Sequence, residues 1–193
     1  IKAASPTLKA GELDVGFDLR GPGAEGLYTL LTGIKIRKGA DVEKLLRDLL
    51  KGDPSGKSLK LDVAKAGDVS IHQIIPDQPL DANVKRLIGD HPDIYFAIRD
   101  DAILLAGGPD ALSVLKEAAT AKPKAGPTAQ VEVSMSRAAQ LVANENPDAP
   151  AIAKKVFTKG VKDKFRVSVQ GGKALTVKLS MDAAVVTFSA QLQ

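Results

Sequence analysis

Residues 93–118 read DIYFAIRDDAILLAGGPDALSVLKEA and give the clearest indication of the fold. Two short apolar runs flank the pair Asp100-Asp101, a composition typical of two β-strands joined by a tight turn. After the glycine pair, the apolar period changes to that of an amphipathic helix. The stretch therefore predicts an antiparallel hairpin followed by a helix that packs on it. The expected buried stripe of that helix consists of Ala111, Val114, Leu115 and Ala118.

The N-terminal side of this stretch shows the same mixture of strands and helices. Residues 12–19, ELDVGFDL, alternate strictly between apolar and polar side chains, as in a strand with one exposed face. Residues 40–54, ADVEKLLRDLLKGDP, carry leucines at helical spacing, with Asp41 at the start and Gly52 and Pro54 at the end. Further strands are expected at 27–37, 58–64 and 69–76, and a short helix at 81–88.

The C-terminal side follows with a strand at 129–134 and short helices at 136–144 and 149–159. Residues 162–180, KDKFRVSVQGGKALTVKLS, predict a second hairpin, with its turn at Gly171-Gly172. Residues 181–192 suit either a helix or a strand, and we favour the helix slightly.

These elements predict an α+β protein, with mainly antiparallel sheet and helices packed on one face. We expect a linker at residues 1–10 and a single domain over 11–193. Residues 34–63 and 103–133 share a pattern of strand, glycine, capped helix and strand, which predicts internal duplication of a β-β-α-β unit. The two pseudo-repeats would cover about 11–65 and 68–135, and the closing segment would cover 136–193.

Composition excludes several classes of site. The 193 residues include no Cys, which removes disulfides, thiolate metal sites and thiol nucleophiles. No apolar run approaches the ~18 residues expected of a membrane span. Charge is uneven, because the residues after 136 include nine Lys/Arg and four Asp/Glu, whereas residues 1–136 include eighteen and nineteen.

The glycines of residues 20–31, RGPGAEGLYTLL, match the spacing of a dinucleotide-binding loop at Gly21, Gly23 and Gly26. Such a loop needs a buried parallel strand before it and a helix directly after it. Here the preceding strand is amphipathic, and the following residues favour a strand. The interpretation is therefore a loop between two antiparallel strands, and we expect no cofactor.

Other motifs carry little chemistry. His72 is interpreted as a half-exposed strand residue, and His91 in GDHPD as part of a turn. The stretch GDPSGKS, residues 52–58, has one residue too few between its glycines for a phosphate loop, and a strand is expected after it. The acidic pair Asp100-Asp101 lies at a solvated hairpin tip, so paired-carboxylate catalysis is unsupported.

A basic cluster near the end of the chain is the candidate site for an anionic partner. Its members share a helix end and the strand that follows it. Nucleic acid is a disfavoured partner, because Phe157 and Phe165 fall on expected core faces and cannot stack on bases. A solvated lysine surface is the alternative interpretation. The candidate residues are Lys154, Lys155, Lys159, Lys162, Lys164 and Arg166.

The run DIYFAIRDDAILLAGGPDALSVLKEA resembles the repeated segments of large uncharacterised exported proteins from bacteria such as planctomycetes. In those segments a strand, an aspartate-rich turn, a second strand, a glycine and a helix recur. The closing residues 161–186, VKDKFRVSVQGGKALTVKLSMDAAVV, are similar to the ends of such proteins. The resemblance implies an extracytoplasmic location, periplasmic or secreted, and assigns no activity and no site residues.

Three functional hypotheses remain open from the sequence. The first is a non-enzymatic binding or structural module of unknown ligand, with a protein as a candidate partner. It is favoured by missing catalytic motifs and by amphipathic strands that can pair or assemble. The second is an anion- or polyanion-binding protein that uses the basic cluster. The third is a hydrolase or transferase, which would need a deep pocket holding convergent polar groups.

Overall fold

The computed structural model describes residues 7, 14–23, 25–51, 58–143, 145–171 and 173–192. The chain divides into two compact units, Ile1–Lys122 and Pro123–Gln193. The sequence predicts a single domain over residues 11–193, and the two units are described separately below. Apart from Thr7, the expected linker at 1–10 lies outside the described residues.

The first unit is built on a six-stranded antiparallel sheet with the strand order β1-β2-β6-β5-β4-β3. Every neighbouring pair of strands is antiparallel, so the predicted α+β class and antiparallel sheet are confirmed. The strands are β1 (Val15–Arg20), β2 (Thr29–Lys35), β3 (Leu59–Ala66), β4 (Val69–Ile74), β5 (Ile94–Ile98) and β6 (Ala102–Gly107), and the helices are α1 (Gly39–Lys51), α2 (Ala82–Ile88) and α3 (Ala111–Thr120).

Helices cover both faces of this sheet, which corrects the expectation that they pack on one face. Strand β5 shows why, because its successive side chains point to opposite faces. Tyr95 and Ala97 pack with α3 in one core, whereas Phe96 and Ile98 pack with α1 in the other. The pattern of each helix predicts an apolar stripe but does not tell which face of the sheet that stripe will cover.

The β5–β6 hairpin contacts both α1 and α3. The turn at Asp100-Asp101 joins β5 to β6 as predicted. The Arg99 guanidinium donates hydrogen bonds of 3.2, 3.1 and 2.6 Å to the last carbonyls of α3 and just beyond it, and it also pairs with Asp101. Gly39 begins α1 so close to this hairpin that a Cβ there would lie 1.8 Å from the Arg99 carbonyl oxygen. The hairpin therefore positions α1 and α3 together.

The predicted helical stripes are only partly buried. In α3, Ala111, Val114 and Leu115 are buried as predicted, but Ala119 replaces Ala118 as the last buried residue. In α1, the predicted stripe includes Leu45 and Leu49, which are exposed. Val42 and Leu46 of the same helix pack against the buried cluster of Ile36, Phe96 and Ile98.

The second unit combines a three-stranded antiparallel sheet of order β7-β8-β9 with three helices. Strand β7 has the predicted bounds, and residues 183–191 are helical, which settles the open choice in favour of the helix. The strands are β7 (Ala129–Ser134), β8 (Lys164–Gln170) and β9 (Thr176–Met181), and the helices are α4 (Met135–Leu141), α5 (Ala149–Val156) and α6 (Ala183–Gln191).

Three details of the second unit differ from the expectations. The β8–β9 connection spans residues 171–175, so the turn is longer than Gly171-Gly172. Helix α4 ends before the predicted residue 144, because the chain turns after Val142. Helix α5 ends before the predicted residue 159, because Phe157 leaves the helix and its ring packs 5.1 Å from that of Phe188.

The closing strands of the two pseudo-repeats lie in different sheets. Strand β3 closes the first copy in the six-stranded sheet, and β7 closes the second copy in the three-stranded sheet. Internal duplication stays a prediction.

Candidate functional site

One face of the three-stranded sheet is entirely apolar. The cross-strand register aligns three rows, each with one residue from every strand. Because side chains alternate along a strand, all members of these rows point to the same side. We call this surface the apolar face; its members are Ala129, Val169 and Val177, then Val131, Val167 and Leu179, then Val133, Phe165 and Met181.

Much of the apolar face is exposed. Val131, Val177 and Leu179 are 54%, 62% and 59% exposed, and every residue of β9 is exposed. Leu175, which precedes β9, is 73% exposed. A contiguous apolar surface of this kind marks an interaction site more often than single exposed side chains do.

The helices of the second unit pack chiefly on one another. Ala139 of α4, Ala149 and Ala153 of α5 and Phe188 of α6 form a buried cluster, with Phe157 packed against it. A sheet normally buries its apolar face against a second layer. On the described residues, that layer is incomplete at β9.

The opposite face of this sheet is polar, and it holds two residues of the predicted basic cluster. Lys164 lies 3.2 Å from a Glu132 carboxylate oxygen, and the Arg166 Nε donates a 2.8 Å hydrogen bond to the same carboxylate. Hydrogen bonds from Arg166 and then from Lys164 lower the pKa of Glu132. These two cations are therefore already paired.

The other four residues of the basic cluster lie on different elements. Lys154 and Lys155 are in the last turn of α5, and Lys159 and Lys162 are in the connection to β8. All four are exposed, and none forms an ion pair with a residue that the structure describes. Neighbours in the sequence are thus spread over a helix, a loop and a sheet face.

Helices α4 and α5 border an open cleft of about 350 Å³, with Ser136, Gln140 and Lys154 as its polar lining. The Ser136 hydroxyl donates a hydrogen bond to the Asp163 carboxylate, as the Ser134 hydroxyl also does. Burial acts to raise the pKa of Asp163, but the hydrogen bonds from both serines outweigh it and lower the pKa. Such a carboxylate is a weak general base. The arrangement instead anchors the start of α4, where Ser134 is the N-cap.

His72 is completely buried, which corrects the prediction of a half-exposed residue. Strand β4 lies between β3 and β5 in the sheet, and the His72 ring packs 4.9 Å from that of Phe96. Its Nδ1 accepts a 3.0 Å hydrogen bond from the backbone N–H of Asp62. Its Nε2 has no hydrogen-bond partner and lies 3.8 Å from a Glu43 carboxylate oxygen.

Asp62 lies where β3 departs from regular pairing, and its φ of 55° is in the left-handed region. The Arg47 guanidinium binds this carboxylate through two hydrogen bonds of 2.7 Å and also binds Glu43 at 2.6 Å. Hydrogen bonds from Arg47 and from Ser70 hold the pKa of Asp62 well below its usual range. Burial lowers the pKa of His72, and the charges of Asp62 and Glu43 only partly oppose this effect.

Glu43, Asp62 and His72 offer ligand atoms within 4.8 Å of one another, which raises the question of a metal ion. Arg47 already lies between the two carboxylates. In addition, Nδ1 of His72 accepts a hydrogen bond, so the neutral ring carries its proton on Nε2, the atom that faces Glu43. A metal-bound histidine instead donates from its second nitrogen. The cluster therefore suits an ion-pair network that ties α1 to β3 rather than a metal centre.

The glycine-rich loop joins β1 to β2, which pair as an antiparallel hairpin. No helix follows Gly26; the chain continues into β2. The interpretation of this loop as a strand connection is confirmed. Residues 52–57 of GDPSGKS lie outside the described residues, and β3 begins at Leu59, just after that stretch.

No protein-family model matches the chain, and searches of curated proteins and of solved structures found no match either. Among the described residues, no helix has the length and apolar content needed to cross a membrane.

Sequence reasoning missed two features of the site. The burial of His72 had a signal, since VSIHQII carries apolar residues at both phases of its alternation, as a central strand does. The apolar face was visible as the apolar phase of VEV, FRVSV and VKLSM, but nothing in those segments tells whether another layer covers them.

Proposed function

We propose that this chain is a non-enzymatic binding module that takes a protein partner on the apolar face of the second unit. The single observation that carries the proposal is the exposure of the apolar side chains of β9 on a sheet whose other face is polar. Leaving such a surface in water is unfavourable by about 25 cal/mol per Å². A partner that covers it recovers this free energy.

The polar face supports the choice of surface. On this face Glu132 pairs with Lys164 and Arg166, whereas the apolar side has no covering layer at β9 among the described residues. Interfaces also tend to have an apolar centre and a polar rim. The extracytoplasmic location implied by the resemblance stays part of the proposal and is independent of this surface.

Strand β9 allows a matched experiment on the full chain, because it is exposed on both faces. Random-sequence peptides would be displayed and selected against the wild-type protein. The selected peptides would then be tested against V177S/L179S and against K178S/S180A, which changes the polar face of the same strand.

Both double variants should fold, because exposed substitutions usually change stability by about 0.5 kcal/mol or less. We expect V177S/L179S to lose the selected peptides and K178S/S180A to retain them. Peptides that bind both variants equally well would show that the apolar face is not the binding surface.

A second candidate function is the binding of a polyanion by the basic cluster. The observation in its favour is that Lys154, Lys155, Lys159 and Lys162 are exposed and form no ion pairs within the part of the chain that the structure describes. The affinity for heparin should then fall steeply as the salt concentration rises. Binding releases the counterions condensed on the polyanion, and this release is less favourable at high salt. K154Q/K155Q should reduce that salt dependence, and binding that ignores salt would exclude this function.

A further inference from the structure

The two ends of the apolar face are basic. Lys159 and Lys162 lie in the connection that enters β8, and Lys173 lies in the connection from β8 to β9. Because β8 runs the length of the sheet, Lys159 and Lys162 lie beyond one end of the sheet and Lys173 lies beyond the other. All three are exposed and form no ion pair with a described residue. Exposed lysines without an ion-pair partner among the described residues therefore lie beyond both ends of the apolar face, and Asp163 and Asp182 share the end that holds Lys159 and Lys162.

The charge of the whole second unit has the same sign. Residues 123–193 include ten basic and five acidic residues, a net charge of +5, whereas residues 1–122 include seventeen and eighteen. A partner with acidic residues around an apolar centre would be attracted to this surface. A basic partner would be repelled.

The size of the face limits what can cover it. Three strands about 4.8 Å apart, with neighbours paired over six residues of about 3.4 Å each, give a footprint of roughly 14 by 20 Å, or about 300 Å². A stable interface between two proteins buries about 800 Å² on each partner. An α-helix of about 14 residues is roughly 21 Å long and 10–12 Å wide, which matches the footprint.

A second copy of the chain fits less well. Packing two apolar faces together would cover too little area for a stable dimer. It would also place lysines against lysines, because both ends of the face are basic.

We infer that the partner of the apolar face is an amphipathic helix whose apolar stripe is flanked by acidic residues. This inference rests on the proposed function. The helix completes the second layer of the sheet, which is incomplete at β9. Its acidic ends pair with Lys159 and Lys162 at one end and with Lys173 at the other.

Three synthetic helical peptides would test the inference on the full chain. They share one leucine stripe at i, i+3, i+4 and i+7 spacing, and they differ only in flanks of glutamate, glutamine or lysine. Affinities would be measured by fluorescence anisotropy at about 0.1 M and about 1 M salt, where the Debye lengths are about 10 and 3 Å.

At low salt we expect affinity to decrease in the order glutamate-, glutamine- and lysine-flanked peptide. At high salt we expect the three affinities to become similar. K162Q/K173Q should weaken only the glutamate-flanked peptide at low salt, by about 2- to 30-fold if each exposed pair contributes a typical amount. V177S/L179S should abolish binding of all three peptides, and K178Q on the polar face should leave the ranking unchanged.

The alternative outcomes separate the inference from the proposed function. Equal affinities for the three peptides, all lost in V177S/L179S, would overturn the acidic partner and leave the apolar face as a binding surface. Failure of every peptide to bind, or binding that V177S/L179S does not weaken, would overturn both. A dimer in sedimentation that V177S/L179S dissociates would assign the face to a second copy. Tight binding to phosphatidylserine vesicles that displaces the peptide would assign it to a membrane surface.

Discussion

Replacing His72 with asparagine should remove a pH dependence from the stability of the first unit. The wild-type ring is completely buried, and its Nδ1 accepts a hydrogen bond from the Asp62 backbone N–H. Protonation would convert Nδ1 into a donor that faces another donor. The asparagine side-chain oxygen can take the place of Nδ1 as the acceptor, but it does not titrate.

The sign follows from the lowered pKa of His72, which burial shifts down from 6.5 despite the charges of Glu43 and Asp62 nearby. Above about pH 6.5 the ring is neutral in both the folded and the unfolded states, and stability is unaffected. Below that pH the histidine is protonated in the unfolded chain but not in the folded chain, so the free energy of unfolding decreases as the pH is lowered. The slope reaches at most about 1.4 kcal/mol per pH unit, and it vanishes again below the folded pKa.

The measurement is urea unfolding followed by tyrosine fluorescence, which reports the first unit because both tyrosines, Tyr28 and Tyr95, lie in it. Free energies of unfolding would be compared between about pH 7.5 and pH 5 for wild type, H72N and the exposed-histidine control H91N. H72N should be less stable at every pH, because the lost ring leaves a cavity beside Phe96, but its curve should be flatter. Equal slopes for wild type and H72N, or a slope lost in H91N instead, would refute this account of the buried ring.

Three further predictions concern packing, each measured as a free energy of unfolding. Gly39→Ala should destabilise the first unit by about 1–3 kcal/mol or more, because the new Cβ would lie 1.8 Å from the Arg99 carbonyl oxygen. Gly126→Ala serves as the control, because a Cβ at that position would have no atom within 4 Å. Arg99→Met should cost about 1–3 kcal/mol, since it leaves helix carbonyls unpaired, and this loss should persist at high salt, unlike that of a purely surface ion pair. Leu115→Ala, at a residue with 0% exposure, should lower the free energy of unfolding by about 2–5 kcal/mol. Leu175→Ala, at a residue with 73% exposure, should change it by no more than about 0.5 kcal/mol. Both would be followed by circular dichroism, and equal effects would contradict the burial described above.

Local patterns predicted most elements of this protein. The hairpin around Asp100-Asp101 and strand β7 follow from alternation and turn chemistry, which depend on a few adjacent residues. Helix α2 lies within the predicted range 81–88 and is capped by the Asp81 side chain, which accepts a 2.8 Å hydrogen bond from the backbone N–H of Asn83. Helix ends were predicted less well, as with α5, because its last turn competes with the packing of Phe157 on Phe188.

The candidate site depended on longer-range information. The basic cluster was defined by proximity along the chain, yet Lys164 and Arg166 pair with Glu132 from another strand. The pairing needs the β7–β8 register, in which Glu132 lies opposite Arg166. That register is a property of two segments separated by two helices, so the residues around Lys164 cannot reveal it.

The amino-acid sequence by itself determined the α+β class, the antiparallel hairpins and the apolar phase of each strand, because backbone geometry assigns alternate side chains to opposite faces. Only the tertiary structure decided which of those faces is covered. Phe96 and His72 are buried beneath α1, whereas Val177 and Leu179 remain in contact with water, and none of these strands specifies which element will cover it. Coverage depends on how distant elements meet, and no local pattern encodes that encounter.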